Sequence, residues 1–177
     1  RDAGWIAAAA GLAGGAELIL VPEKPVYLKE IIDTVRRWQR MGRVSSLIVV
    51  AEGALIRTKA EGPAEVVVDK KEPDHMGRPR YGGVGAYLSK EIEQQTGVET
   101  RVTVLGHVQR GGTPTARDRI LATRLGCFAA DLAGAGRWGT MAAWRGGTVV
   151  EATLEESVGH KKLLDPVLYE VARTFFE

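Results

Sequence analysis

Residues 101–119, RVTVLGHVQRGGTPTARDR, carry a β-branched run into a histidine, an arginine and a pair of glycines. Val102, Val104 and Val108 suit a buried strand, so a strand is expected over residues 101–105. Gly111-Gly112 lets the backbone turn tightly and come close to a ligand. Thr113 is a good helix N-cap and Pro114 suits a first helical position, so a helix is expected from there. The free N–H groups at a helix start favour anions, and His107 with Arg110 would add side-chain donors at the same place. That combination is suited to holding a phosphate.

Outward from this stretch, helices and apolar strands alternate. A helix is expected over residues 2–13, capped by Asp2 and ended by Gly14-Gly15. A short buried strand follows at residues 17–21, closed by Pro22. Leu28, Ile31, Ile32, Val35 and Trp38 recur at spacings of three and four, the mark of an amphipathic helix, which Gly42 ends. Residues 47–50 read as a second buried strand with Glu52 just past its carboxyl end. Val84, Tyr87, Leu88 and Ile92 mark a helix ended by Gly97. Leu121, Leu125, Phe128 and Leu132 form one stripe of the helix after Pro114. Residues 140–144 and 148–150 are candidate strands around Gly146-Gly147, and Pro166 opens a last helix. The alternation implies an α/β fold with a largely parallel sheet. Ligands gather beyond the carboxyl ends of such strands, where Glu52 and His107 both stand. Residues 54–83 interrupt the pattern. They are polar, contain Pro63, Pro73 and Pro79, and only residues 66–68 look strand-like, so a surface excursion is expected there.

With 177 residues, 45% of them hydrophobic, the chain can bury the core of one ordinary domain. A net charge of +2 is too small to imply a nucleic-acid or membrane partner. One QRGG copy inside an apolar fold is poor evidence for RNA binding. The single cysteine, Cys127, cannot form an internal disulfide, which favours a reduced, cytoplasmic setting. The AAAAGLAGGA run is too short and too glycine-rich for a membrane span.

LGHVQRGGTPTARDRILATRLG, residues 105–126, resembles the signature with which the 6-phosphofructokinases grip fructose 6-phosphate. RDAGWIAAAAGLAGGAELILVPE, residues 1–23, resembles the segment opened by that family's Met-Gly-Arg motif, with Arg1 as the arginine. VVAEGA places Glu52 at the family's sugar-contacting glutamate. The likeness extends to the final LYEVARTFFE.

The resemblance implies a three-layer phosphofructokinase-like α/β fold, present here as the C-terminal portion only. Residues 1–108 and 160–177 would form a sugar-phosphate-binding lobe with a long insertion at 54–83. Residues 109–159 would form a return segment packing on a donor lobe outside this chain. The implied reaction moves a phosphoryl group from ATP or pyrophosphate to the 1-hydroxyl of fructose 6-phosphate, with Mg²⁺ whose ligands lie outside this chain. His107 and Arg110 would hold the 6-phosphate, with Val108 and Gln109 between them. Glu52 would meet the sugar hydroxyls, and Arg1 the transferring group. Glu17 and Arg43 match positions near an allosteric nucleotide site, although Met41 and Val44 fall where that site usually has basic residues. Arg101 lies six residues before His107, about 20 Å away along a strand. The resemblance implies arginines at both places on the same phosphate, so Arg101 would serve a neighbouring subunit's site in a homodimer or homotetramer. A non-catalytic phosphosugar-binding module is the alternative reading.

Overall fold

Leu18, Ile19, Leu20 and Val21 point alternately into two apolar layers, and that alternation organises the first of two units. The computed structural model describes residues 2–58, 65–66 and 83–176. In chain order its elements are α1 (Trp5–Ala13), β1 (Leu18–Leu20), β2 (Val26–Tyr27), α2 (Leu28–Arg40), β3 (Ile48–Val50), β4 (Leu55–Arg57), β5 (Glu65–Val66) and α3 (Val84–Thr96). A 3₁₀ turn (Gly106–Arg110) precedes α4 (Ala116–Gly134), β6 (Thr140–Arg145), β7 (Thr148–Thr153), α5 (Leu154–Val158) and α6 (Pro166–Arg173). The first unit is Arg1–Val104 with Lys162–Glu177; the second is Leu105–Lys161.

In the first unit β1 pairs in parallel with β3, Ile19 opposite Val49. Leu18 and Leu20 pack with Leu28, Ile31, Ile32, Val35 and Trp38 of α2 and with Val84, Leu88 and Ile92 of α3. Ile19 and Val21, both fully buried, pack on the other side with Ala7 and Ala8 of α1 and with Tyr169 and Ala172 of α6. Helix layer, sheet and helix layer follow from a period of two along β1. Each aliphatic side chain buried in this way contributes about 1.5–3 kcal/mol, so packing rather than propensity holds α1, which carries Gly11 in its last turn.

Two expectations for this unit are corrected. Asp2 does not cap α1: Gly4 is the N-cap residue, and its N–H donates to the Glu23 carboxylate. The segment after Ala54, expected to be strand-like only at residues 66–68, also holds β4, and its later strand is β5 at Glu65–Val66. β4 pairs in parallel with β2, Val26 opposite Ile56, and antiparallel with β5, Leu55 opposite Val66. Ile56 is buried in the α2–α3 core, and that anchors β4. The rest of the insertion, residues 59–64 and 67–82, lies outside the described residues.

The second unit is α4 beside the antiparallel hairpin of β6 and β7, Arg145 opposite Thr148. Gly146 and Gly147 adopt φ of +55° and +87°, the double left-handed turn that suits a tight two-residue hairpin. Leu121, Leu125, Phe128 and Leu132 do form one stripe, but it is half-buried, and no residue of α4 is fully buried. The helix begins later than Thr113 and Pro114 suggest. Thr115 is the N-cap, and it exchanges hydrogen bonds with Asp118 in a capping box.

Residues 101–105 form no strand. Val104 is 85% exposed and Leu105 52%, and no described strand lies beside them. β-branched residues give a strand its propensity, but a strand needs a partner for its backbone groups.

Candidate functional site

Glu52 stands on a turn closed by the Ala54 N–H donating to the Ala51 carbonyl at 3.0 Å. Ala51 and Ala54 are both buried, so the turn is pinned at its two ends while Glu52 between them is exposed. Among the described residues its carboxylate has no hydrogen-bond or ion-pair partner. It sits just past the carboxyl end of β3, the place where a parallel sheet offers side chains to ligands. Such a carboxylate can accept hydrogen bonds from hydroxyl groups.

At the carboxyl end of β1, Glu23 holds backbone together. Its two oxygens accept the Gly4 N–H, each at 3.1 Å, and Oε1 also accepts the Leu164 N–H at 2.9 Å. Sequence reading did not single this residue out. No local pattern signals a bond to a glycine nineteen positions upstream.

Arg101, in the same unit, is exposed and paired with Glu99, its Nε and Nη2 each 3.1 Å from Oε1. An exposed pair of this kind contributes about 0–1 kcal/mol at most, so it would release the guanidinium readily. Glu17 and Arg43 meet at the opposite, amino end of β1. Arg43 Nη1 is 3.4 Å from Glu17 Oε1, and Glu17 Oε2 accepts the Leu47 N–H at 2.7 Å. They line a cavity of about 250 Å³ with Leu12, Ala16, Ala172 and Phe175. Arg43 also lies over the Trp38 ring, 5.8 Å from its centroid. Arg1 lies outside the described residues.

In the second unit His107, Val108, Gln109 and Arg110 occupy the 3₁₀ turn, not the end of a strand. The Val108 N–H donates to the Leu105 carbonyl and the Gly111 N–H to the Val108 carbonyl. Gly106 at φ +50° and Gly112 at φ +97° bracket the turn in backbone conformations that other residues rarely adopt. His107, Val108 and Gln109 are exposed. Positions 107 and 110 share one side of a 3₁₀ turn by its period of three.

The start of α4 is not the open anion site that the sequence suggested. The Asp118 carboxylate accepts the Thr115 N–H at 2.9 Å and the Thr115 hydroxyl at 2.8 Å. Those hydrogen bonds, backbone first, hold the Asp118 carboxyl below the usual carboxylate range, with a smaller contribution from Arg117. A negative side chain already sits at this helix start, so the donors suited to a phosphate are those of the turn and the glycine pair.

Among the described residues no three of His, Cys, Asp or Glu converge as metal ligands. No described helix is long and apolar enough to cross a membrane.

The first unit is thus a three-layer α/β fold with a carboxylate just past a strand end, and the second carries a glycine-bracketed His-Val-Gln-Arg turn before a helix. The sequence model described as Phosphofructokinase matches residues 1–133, and the chain belongs to that family. It is 49% identical over 177 residues to the pyrophosphate–fructose 6-phosphate 1-phosphotransferase of Amycolatopsis methanolica, covering 99% of this chain and 50% of that protein. It is 43% identical over 176 residues to the ATP-dependent 6-phosphofructokinase of Mycobacterium leprae, with the same coverage. The pyrophosphate-dependent phosphofructokinase from Marinobacter aquaeolei superposes with a TM-score of 0.70 at 25% identity, over 99% of this chain and 44% of that one. The chain spans about half the length of the curated relatives it matches.

Proposed function

We propose that the chain is the sugar-phosphate half of an enzyme that phosphorylates the 1-hydroxyl of fructose 6-phosphate, giving fructose 1,6-bisphosphate. The family match over residues 1–133 carries this reading, because it includes Arg1, Glu52, Arg101 and the whole 106–112 turn. The phosphoryl donor is ATP or pyrophosphate, the two donors named for the relatives above. Residues 1–108 with 160–177 form the sugar lobe, and residues 109–159 return to pack on a donor-binding half outside this sequence.

Phosphoryl transfer needs little covalent help from a protein. It needs the acceptor hydroxyl in line with the donor phosphate, and positive charge near the group in flight. His107 and Arg110 hold the 6-phosphate, with the planar guanidinium suited to a two-pronged contact. Val108 and Gln109 shape the turn that carries them. Glu52 accepts hydrogen bonds from sugar hydroxyls and thereby rejects ligands lacking them. Arg1 stabilises charge on the transferring phosphoryl group. Mg²⁺, when bound, screens the donor's negative charge; the described residues do not fit it, and its ligands belong to the donor half. Arg101 gives its guanidinium to the 6-phosphate of a neighbouring subunit in a homodimer or homotetramer, and the enzyme works in the cytoplasm. Glu17 and Arg43 stand where the family resemblance places an effector nucleotide.

The test is fructose 1,6-bisphosphate formation by the enzyme carrying both halves, assayed with ATP and with pyrophosphate. Turnover with either donor is expected. Fructose 6-phosphate binding with no turnover from either donor would favour a phosphosugar-binding module instead. The shared-site arrangement fails if an active enzyme is monomeric, or if Arg101→Ala leaves sugar affinity unchanged.

A further inference from the structure

We propose that Glu93 is a positioning residue for Arg101, acting with Ser89 and Gly85 on the chain at either side of that arginine. This rests on the reading of Arg101 as the group that meets the 6-phosphate in a neighbouring subunit. The contacts that carry it all lie within the first unit.

Arg101 stands in a segment that no described strand holds, and its side chain is exposed. α3 gives it the footing that a sheet would otherwise supply. That helix is anchored in the core by Val84, Leu88 and Ile92, and Gly97, at φ +72°, ends it and turns the chain back. Gly85, Ser89 and Glu93 lie four apart, so they share one face of α3, and each meets the returning chain. Glu93 Oε1 accepts the Thr100 N–H at 2.7 Å, a charge-assisted bond of the stronger kind. The Ser89 hydroxyl donates to the Thr100 carbonyl at 3.3 Å. Gly85 leaves room for Val102, since a Cβ there would fall 3.1 Å from Val102 Cγ1. Thr96 adds a tie at the turn: its hydroxyl accepts the Val98 N–H at 3.2 Å and donates to the Ile92 carbonyl at 2.6 Å. Both backbone polar groups of the residue before Arg101, and the side chain of the residue after it, thus sit on one stripe of a core-anchored helix. Glu99, on the same pinned stretch, takes the guanidinium, Nε and Nη2 each 3.1 Å from Oε1. That exposed pair is weak, so it orients the guanidinium without withholding it. A charge that must reach a ligand across a subunit boundary binds more tightly when it is held in place beforehand.

The test compares Glu93→Ala, Glu93→Gln and Ser89→Ala with Arg101→Ala in the enzyme carrying both halves, using whichever of ATP and pyrophosphate supports turnover. Glu93→Ala should raise the half-saturating concentration of fructose 6-phosphate about tenfold, the scale of one hydrogen bond to a charged group, and leave kcat within about threefold. Glutamine keeps an acceptor oxygen of the same reach, so Glu93→Gln should recover most of the loss. Ser89→Ala should raise the same constant about threefold, as fits one neutral hydrogen bond. In the Arg101→Ala background Glu93→Ala should cause little further loss, because both act on one group. Losses that multiply in the double variant, or a fall in kcat with sugar affinity unchanged, would overturn the proposal. An Arg101→Ala enzyme with normal sugar affinity would instead refute the role of Arg101 itself. If Glu93→Ala fails to fold, Ser89→Ala decides it. Alanine is the better helix former, so α3 stays intact, and a wild-type sugar affinity in that variant contradicts the clamp.

Discussion

Replacing Gly11 with alanine is expected to destabilise the first unit, although alanine is the better helix former. Gly11 lies in the last turn of α1, where the helix packs on β1. A Cβ at this position would fall 2.6 Å from Ile19 Cδ1 and 2.8 Å from Ile19 Cγ1, with Val49 Cβ at 3.5 Å. Ile19 is fully buried, so it cannot swing into open space. Helix propensity favours alanine by about 1 kcal/mol. Overpacking a filled core costs about 1–3 kcal/mol. The difference is a net loss near 1 kcal/mol, read as a lower urea midpoint by far-ultraviolet circular dichroism. Ile19→Val removes the atom in closest conflict. Alone it should cost about 0.5–1.5 kcal/mol, and in the Gly11→Ala background clearly less. A stabilised Gly11→Ala variant, or two effects that simply add, would show that α1 does not lie on β1 as described.

Four further outcomes are expected. In the enzyme carrying both halves, Arg110→Ala should raise the half-saturating concentration of fructose 6-phosphate at least about tenfold, since losing one partner of a desolvated charged pair costs about 2–5 kcal/mol; Glu52→Gln should also weaken sugar binding while leaving donor binding nearly intact. Burial raises the Tyr169 phenol above its usual value, and its hydroxyl donates to the Ile19 carbonyl at 3.4 Å. The folded chain therefore holds that proton more tightly than the unfolded chain, so stability is level below about pH 10 and falls as pH rises past it; Tyr169→Phe should remove that part of the alkaline slope in denaturation measured from pH 8 to 11. Asp118 has the opposite sign. Its folded pKa is lowered by the Thr115 hydrogen bonds. Its contribution is thus complete above the unfolded value near pH 4 and is lost as pH falls through the folded one, so Asp118→Asn should flatten the acid limb of the melting curve.

How much of this was legible in the sequence depends on whether the cause was local. α2, α3 and α6 were readable because spacing and terminators agree: Gly42 and Gly97 both take φ of +72° after their helices, and Asp165 caps α6 ahead of Pro166. β1 and β3 were readable because strands covered on both faces appear as unbroken apolar runs. β2 and β4 were not, since such short strands are defined by partners distant in sequence, while β5 was read only in part, at Val66 of the strand-like residues 66–68. Residues 101–105 failed for the converse reason, having strand propensity without a neighbour. At Thr113-Pro114-Thr115 the proline suggested one start for α4, yet the Thr115–Asp118 spacing was itself a capping-box signal. Glu52, His107 and Arg110 are singled out by motif resemblance, as proposed binding residues. Glu23 was not, because its role exists only once residues 4, 23 and 164 have come together.

The most direct measurement of the central claim is a crystal structure of the enzyme carrying both halves with fructose 6-phosphate bound. The 6-phosphate should lie against His107 and Arg110, with the sugar hydroxyls within hydrogen-bond reach of Glu52. A bound sugar phosphate that touches neither the 106–110 turn nor Glu52 would contradict the account.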